Sequence, residues 1–325
     1  MTMHTDKLVK FVKDWMLPLA IVLGVSSYLI FHFCHALHPI GETCRKIASN
    51  SQTFLIGVMI FLQMVKMSPR EMRFHRWHIG PLLLQTVSFL VLALIAVYTP
   101  KGTGRILLEC AMLCLICPTA SAAGVITDKL GGSLPGNMSY LVMINTIVTF
   151  LIPAVVPVIH PSDMPFWTIV SVIAARIFPM LLLPCFIAWI IRYMFPRLQA
   201  WLLRYAHWSF YFWGISLTLA MILATRSLVW SGLSFWALVL IGVVSLACCA
   251  LQFAFGRLNG RRFGKKDMIT SGQALGQKNT GFLIWLGYNY MTPVTSIAGG
   301  LYAIWQNIFN SWELYCKRRE DAAAK

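Results

Sequence analysis

A lysine lies inside an apolar stretch near the end of the chain. The segment from Ser271 to Gly287, SGQALGQKNTGFLIWLG, combines two glutamines, an asparagine and Lys278 with apolar residues. Ionisable groups at membrane depth are costly, and they mark ion or substrate pathways. Lys278 is therefore a candidate fixed cation or proton-titrating site. The alternative is a lysine that extends to the membrane surface.

A second polar segment precedes it by about 150 residues. The stretch from Cys117 to Gly132, CPTASAAGVITDKLGG, joins a proline and many small residues to charge. Asp128 lies one helical turn beyond Gly124, so it is a candidate counter-ion for Lys278 or a proton acceptor. The alternative is an acid at a helix end that balances the charge of its neighbour Lys129.

Two further charges lie in apolar surroundings, Glu109 and Arg176, and they could form a second pair. Alternatively, Glu109 is close to the outer surface, where it needs no such partner.

These charges belong to a chain that must lie in a membrane. Of its 325 residues, 58% are hydrophobic and 12% charged, with a mean hydropathy of +0.69. A soluble protein needs more polar surface than this. Apolar runs of about 20 residues recur along the chain and predict helical spans. We predict ten: 15–33, 52–68, 79–98, 105–127, 138–159, 166–193, 207–225, 230–256, 268–288 and 291–315.

The basic residues predict the orientation of the spans. Twenty lysines and arginines fall in the loops on one side and five on the other, while Arg176 and Lys278 lie inside spans. Cytoplasmic loops carry the excess, so both termini are predicted to be cytoplasmic in a multi-pass inner-membrane protein. The net charge of +16 is thereby explained without a nucleic-acid partner.

The two polar segments occupy the fourth and ninth spans, which are matching positions in two halves of five spans each. An odd number of spans gives the halves opposite orientations. Weak, interrupted spans at matching positions of inverted halves are typical of a transporter's substrate site. The predicted division is a cytoplasmic N-terminus at 1–14, five-helix repeats at 15–160 and 161–316, and a cytoplasmic tail at 317–325.

Three stretches resemble the bile acid:sodium symporter family, whose members carry organic anions with sodium. They are IFLQMVKMSPREM at 60–72; ASAAGVITDKL with PGNMSYLVMINTIVTFLIPAVVPVI at 120–130 and 135–159; and GQKNTGFL with PVTSIAGGLYAIWQNIFNSW at 276–283 and 293–312. The resemblance implies an all-α fold with a core and a panel domain, in which broken spans four and nine cross. It places sodium beside the crossing and substrate between core and panel, with alternating access through their movement.

The family's sodium-binding positions are changed in this chain. Its pattern Glu-x-Gly-x-Gln-Asn aligns with ALGQKN, so Ala274 replaces the carboxylate and Lys278 replaces the amide. Sodium needs oxygen ligands, and an ammonium repels a cation. The remaining aligned positions hold Ala123, Gly124, Leu141 and Asn145, and only Gln85 still matches the family.

An alignment shifted by one residue would use Gln273 and Gln277 instead, still without a carboxylate. We therefore predict a carrier that is sodium-independent or proton-coupled, with sodium doubtful and no other cofactor. A conventional sodium-coupled symporter is the alternative. The resemblance also places Asn279 close to substrate, with Thr280 and Thr127 nearby; hydrogen bonds between helices are the structural alternative.

An outer loop, FHFCHALHPIGETC at 31–44, concentrates histidines and cysteines: His32, Cys34, His35, His38 and Cys44. Unpaired loop residues, a metal site and a Cys34–Cys44 disulfide are the three interpretations. Cys110, Cys114 and Cys117 share one helical face and are interpreted as packing residues.

No pattern of a protease or hydrolase occurs, so an intramembrane enzyme is not expected, and a membrane sensor would need an output domain. We expect a small organic anion and the bilayer as partners, and no protein partner is indicated.

Overall fold

The computed structural model describes residues 15–34 and 39–323. The predicted cytoplasmic N-terminus at 1–14, together with His35 and His38, lies outside the described residues. Cys34 and Cys44 are exposed free thiols, so no disulfide joins them. No group of three possible metal ligands occurs within the described ranges.

The described chain is α-helical and contains no strand. Its helices are α1 (Met16–Phe33), α2 (Gly41–Met64), α3 (Ile79–Tyr98), α4 (Thr103–Ile116), α5 (Ala123–Lys129), α6 (Leu134–Ile159), α7 (Phe166–Leu181), α8 (Leu183–Met194), α9 (Pro196–Tyr205), α10 (Ser209–Val229), α11 (Phe235–Arg261), α12 (Lys265–Gly276), α13 (Thr280–Tyr290) and α14 (Ser296–Ala323).

Six helical segments of the described ranges are long and apolar enough to cross a membrane, and the shorter Pro18–Phe33 is also apolar. They are Gly41–Met64, Arg76–Tyr98, Leu134–Ile159, Phe166–Met194, Pro196–Val229 and Phe235–Arg261. The chain is therefore an all-α membrane protein. The ten spans in two inverted repeats stay a prediction, although every predicted span overlaps a helix.

Several boundaries differ from those predicted. The second helix begins at Gly41 rather than at 52. The prediction followed the apolar run alone, whereas the helix continues through the polar residues that precede it. The last helix continues through residues 317–323 of the predicted tail. The sixth span is divided at Leu182, between Pro179 and Pro184. Proline lacks the backbone N–H that a continuous helix needs, so these two residues indicate a break that the predicted span did not include.

Local chemistry explains where the important helices begin. Ser133 caps α6 by accepting a hydrogen bond from Gly136 N at 3.2 Å, and Ser234 caps α11 through Ala237 N at 3.3 Å. Asn279 caps α13 by accepting from Phe282 N at 3.2 Å. Such caps satisfy backbone N–H groups that the first helical turn leaves open.

Close backbone contact positions the α11–α12 pair. A Cβ on Gly256 would lie 2.5 Å from Ser271 O, and one on Gly260 would lie 2.3 Å from Asp267 O. Only glycine permits this approach, as at other membrane helix interfaces with small residues. Residues Thr270–Gly276 at the end of α12 are consequently buried on all sides.

Candidate functional site

The two interrupted helices cross each other at their breaks. Thr119 and Lys278 form an isolated antiparallel bridge. Asn279 N donates to Pro118 O at 2.8 Å, and Ala120 N donates to Gln277 O at 3.0 Å. Backbone groups at membrane depth must find partners within the protein, and here each break satisfies the other.

The breaks follow from residue types near each end. The helix α4 ends at Ile116, since Cys117 precedes Pro118 and adopts φ −48° and ψ 132°, a conformation that a following proline favours. The helix α12 ends at Gly276, and Gln277 is extended, with φ −85° and ψ 115°. The carbonyl ends of α4 and α12 thus meet at the crossing, where their helix dipoles favour positive charge.

Lys278 is fully buried at this crossing, with an exposed fraction of 0%. Its backbone N donates to Gln306 Oε1 at 2.8 Å, while its Nζ has no hydrogen-bond partner among the described residues. The thiols within electrostatic range of the ammonium are those of Cys114, Cys117, Cys248 and Cys249. The side chain therefore does not extend to the membrane surface.

The predicted Lys278–Asp128 pair is not formed. Asp128 is exposed at the end of α5 and makes no ion pair with Lys278 within the described ranges. The bridge at Thr119 sets the backbone direction of Lys278 and directs its side chain into the packed interior instead. Cys110, Cys114 and Cys117 are buried, as expected of packing residues.

Gln85 lies beside the crossing, and both the nitrogen and the oxygen of its amide make hydrogen bonds. Its Nε2 donates to Leu115 O at 2.8 Å and to Cys117 O at 3.1 Å. Its Oε1 accepts a hydrogen bond from the Tyr140 hydroxyl. The one side chain that still matches the family pattern is thus used to hold the end of α4.

The other aligned positions supply few free oxygens. Ala274 presents a methyl group, and its carbonyl accepts from Thr119 Oγ1 at 2.6 Å. Ala123 and Gly124 begin α5 without side-chain oxygens, and Leu141 is buried on α6. Asn145 donates to Leu181 O at 3.4 Å, away from the crossing. Sodium needs several oxygen ligands, so the side chains at these positions do not fit the ion.

A cavity of about 430 Å³ opens beside the crossing. Asn279 and Thr280 line it, together with parts of Lys278. Thr127 does not line it: its hydroxyl donates to Ala123 O at 2.8 Å and accepts from Asn137 Nδ2 at 2.9 Å. Thr127 therefore links α5 to α6 through a hydrogen bond.

Among the described residues, the cavity wall carries positive charge and no carboxylate. Lys66 and Lys129 line it, as do the aromatic residues Phe210 and Trp213. Its polar residues include several that the sequence did not single out: Gln63, Ser216, Gln306, Asn307 and Asn310. They come from α2, α10 and α14, and their separation along the chain left no local signal.

The carboxylate of Glu313, which belongs to the last helix, contacts the predicted ninth span. Gln277 Nε2 donates to Gln273 Oε1, and Gln273 Nε2 donates to Glu313 Oε2 at 2.6 Å. Glu313 belongs to α14 and also pairs with Arg257. The two glutamines of the shifted alignment thus hydrogen-bond to each other and, through Glu313, to the last helix.

Glu109 is also buried, but its partners are Arg105 and His160, and the possible pair with Arg176 is not formed. Glu109 Oε1 lies 3.3 Å from Arg105 Nε and 3.1 Å from His160 Nε2, and its Oε2 accepts from Thr292 N at 3.1 Å. Arg105 lies one helical turn before Glu109 on the same helix, so its guanidinium is within reach of the carboxylate. The cluster joins α4 to the end of α6 and to the α13–α14 connection.

Glu109→Gln is expected to lower the free energy of unfolding by about 2 kcal/mol, because a neutral amide loses the charge-assisted contacts that the buried carboxylate makes with Arg105 and with Thr292 N. Chemical denaturation of the purified protein in detergent measures this. Glu42→Gln is the matched control: it removes a carboxylate from the exposed pair with Arg45 and should leave stability unchanged. Equal stabilities of the two variants would contradict the structural role of Glu109.

Comparison with models of protein families finds no match, and comparison with curated proteins finds no significant match either. The resemblance described above thus rests on the quoted motifs and on the positions of the breaks.

Proposed function

We propose that the chain is a secondary transporter of a small organic anion that works by alternating access, rather than an enzyme. The observation that carries the proposal is the crossing of two interrupted helices through Thr119 and Lys278. Interrupted helices at matching positions of two halves are the usual construction of a transporter's binding site. The same feature supports the resemblance to the bile acid:sodium symporter family.

Helix contacts support a division into panel and core. The helices α1, α2, α7, α8 and α10 pack against one another through the pairs α1–α10, α2–α10, α2–α7 and α2–α8. The crossing helices pack mainly against α3, α6, α11 and α14, and α13 also contacts α10 and α2. The cavity lies where α10 and α2 face the crossing, as expected of a substrate site between two moving parts. Ten spans in two inverted repeats fit this arrangement.

The charge of the cavity supports an anionic substrate. Lys66 and Lys129 line it without any carboxylate among the described lining residues. Phe210 and Trp213 add an apolar surface to the same cavity. A compact organic solute with one acidic group and an apolar body matches both features.

The chemistry at the crossing supports transport without sodium. In the alignment that the resemblance implies, Lys278 replaces an amide ligand, and in the structure the Gln85 oxygen accepts a hydrogen bond from Tyr140. We propose that the Lys278 ammonium replaces a bound cation between the helix ends, either permanently or by exchanging a proton in each cycle. The conventional sodium-coupled symporter is the competing function, favoured by the resemblance alone.

The orientation follows from the distribution of basic residues. Lys66 and Lys129 lie in segments predicted to be cytoplasmic, whereas the Glu109 cluster lies at the opposite end. We therefore propose an inner-membrane protein with both termini in the cytoplasm, in a conformation whose cavity opens inward.

Uptake into proteoliposomes tests the proposal. We expect the protein to carry radiolabelled carboxylates or bile acids at a rate that sodium does not change, with a proton gradient accelerating uptake if Lys278 titrates. Empty liposomes and an organic cation are the controls. Strong sodium dependence would support the conventional symporter, and binding without uptake would support a sensor.

A further inference from the structure

We propose that a second site, separate from the transport cavity, binds an anionic phospholipid of the surrounding bilayer. It is a groove of about 480 Å³ between α2 and the interrupted pair α7–α8. The lipid's phosphate lies against Arg176, and an acyl chain follows the groove toward Phe61 and Ile187. This proposal does not depend on the transport function.

The groove arises from a glycine opposite a helix break. Gly57 of α2 faces the backbone carbonyls of Pro179 and Met180: a Cβ at this position would lie 3.9 Å and 3.7 Å from them, and 3.6 Å from Pro184 Cγ. Because Pro184 has no N–H, the Met180 carbonyl lacks its usual helical partner. The break leaves a concave surface along α2 instead of a continuous helix contact.

The groove has a polar end and an apolar end. The two helices run in the same direction, since Gly57 lies next to Pro184 while Val65 O, just beyond α2, accepts from Gln199 Nε2 at 3.3 Å. Asn50, Thr53 and Arg176 consequently lie at one end, and Phe61 and Ile187 lie at the other. This order matches an amphipathic ligand with its head at Arg176.

Arg176 is exposed and is the one charged residue among the described residues that line the groove. It makes no ion pair within the described ranges. It lies ten residues into α7, or about 15 Å along the helix, a depth at which an unpaired arginine is costly. A long arginine side chain extends from such a depth toward the membrane interface, where lipid phosphates lie.

The groove opens sideways out of the bundle, where the bilayer would be. Exposed apolar side chains form its rim, including Phe54 with 71% of its surface exposed. Anionic lipid heads are attracted to basic residues at such positions. A phospholipid thus satisfies both the charge and the lateral opening.

Native mass spectrometry of the full chain tests this. The delipidated protein is titrated with phosphatidylglycerol, phosphatidylcholine of the same chains, and lauric acid. We expect preferential retention of phosphatidylglycerol, reduced about fivefold in Arg176→Gln by loss of one electrostatic contact. Arg226→Gln, which removes an arginine that does not line the groove, is the matched control and should retain the preference. Gly57→Leu, which fills the groove, should lose retention as well.

Three outcomes would overturn the proposal. They are equal retention of phosphatidylglycerol by the wild type and Arg176→Gln, preference for lauric acid over the phospholipid, and a dimer that Arg176→Gln dissociates. Melting temperatures of all variants confirm that each is folded. A failure here leaves the uptake assay unaffected, so the two proposals are tested separately.

Discussion

Lys278→Met is expected to reduce substrate uptake by at least about tenfold, equivalent to about 1.4 kcal/mol, without lowering the melting temperature. The Lys278 side chain is 0% exposed, and its Nζ has no hydrogen-bond partner in the described part of the chain. Burying an ammonium that makes no hydrogen bond is costly, and this cost offsets its attraction to the helix ends, so its removal should not lower the melting temperature. A loss of uptake with stability retained would therefore assign a functional role to the charge.

The expected loss has a physical cause in the helix ends. The carbonyl ends of α4 and α12 meet beside Lys278, and a cation there offsets their partial negative charges. In the sodium-coupled design that the resemblance implies, a bound ion would do this. Methionine has similar length and no charge, so the variant separates charge from packing.

Uptake by reconstituted protein measures this prediction, with initial rates taken over a range of pH. Lys265→Met is the matched control: Lys265 begins α12, the helix that ends just before Lys278, but it is 74% exposed and, among the described residues, pairs with the exposed Glu320. If Lys278→Met transports at the wild-type rate with the same pH profile, Lys278 is a packing residue and our coupling proposal is wrong.

The double variant Ala274→Glu, Lys278→Gln is expected to acquire sodium dependence. It returns a carboxylate and an amide oxygen to the positions where the resemblance places sodium ligands, and it removes the competing ammonium. Both residues contact Thr119, so they lie at the same crossing. The shorter glutamine vacates volume for the new carboxylate.

Thermal unfolding in sodium chloride and in choline chloride measures this second prediction. Sodium at about ten times its Kd should stabilise the double variant by about 1.4 kcal/mol, with no change in the wild type. Lys278→Gln alone is the control, since it lacks the carboxylate. A folded double variant that sodium neither stabilises nor stimulates in uptake would show that the missing ligands lie elsewhere.

The two interrupted spans were predictable because their signals are local. Pro118 ends one helix through its missing N–H, and Gly276 ends the other before an extended Gln277. Small and polar residues around each break distinguish these spans from lipid-facing helices. The break at Leu182 also lies between two prolines, Pro179 and Pro184. Its surroundings are apolar, however, so the hydropathy pattern predicted one continuous span.

Charge partners were less predictable. Arg105 and Glu109 are one turn apart on a single helix, and local geometry favours their pairing. Asp128 lies near Gly124 in sequence, but it is exposed at the end of α5. Glu313 is far from Gln273 in sequence, and their hydrogen bond exists only because α12 and the last helix lie side by side.

By itself, the sequence determined that the chain is an α-helical membrane protein with unusual fourth and ninth spans, because hydropathy, proline and charge act over a few residues. The tertiary structure decided where the exceptional lysine points. Lys278 is not helical, so no periodicity assigns its direction; the backbone bridge with Thr119 does. That bridge joins residues 159 positions apart, and it places the ammonium among thiols and helix ends instead of beside a carboxylate.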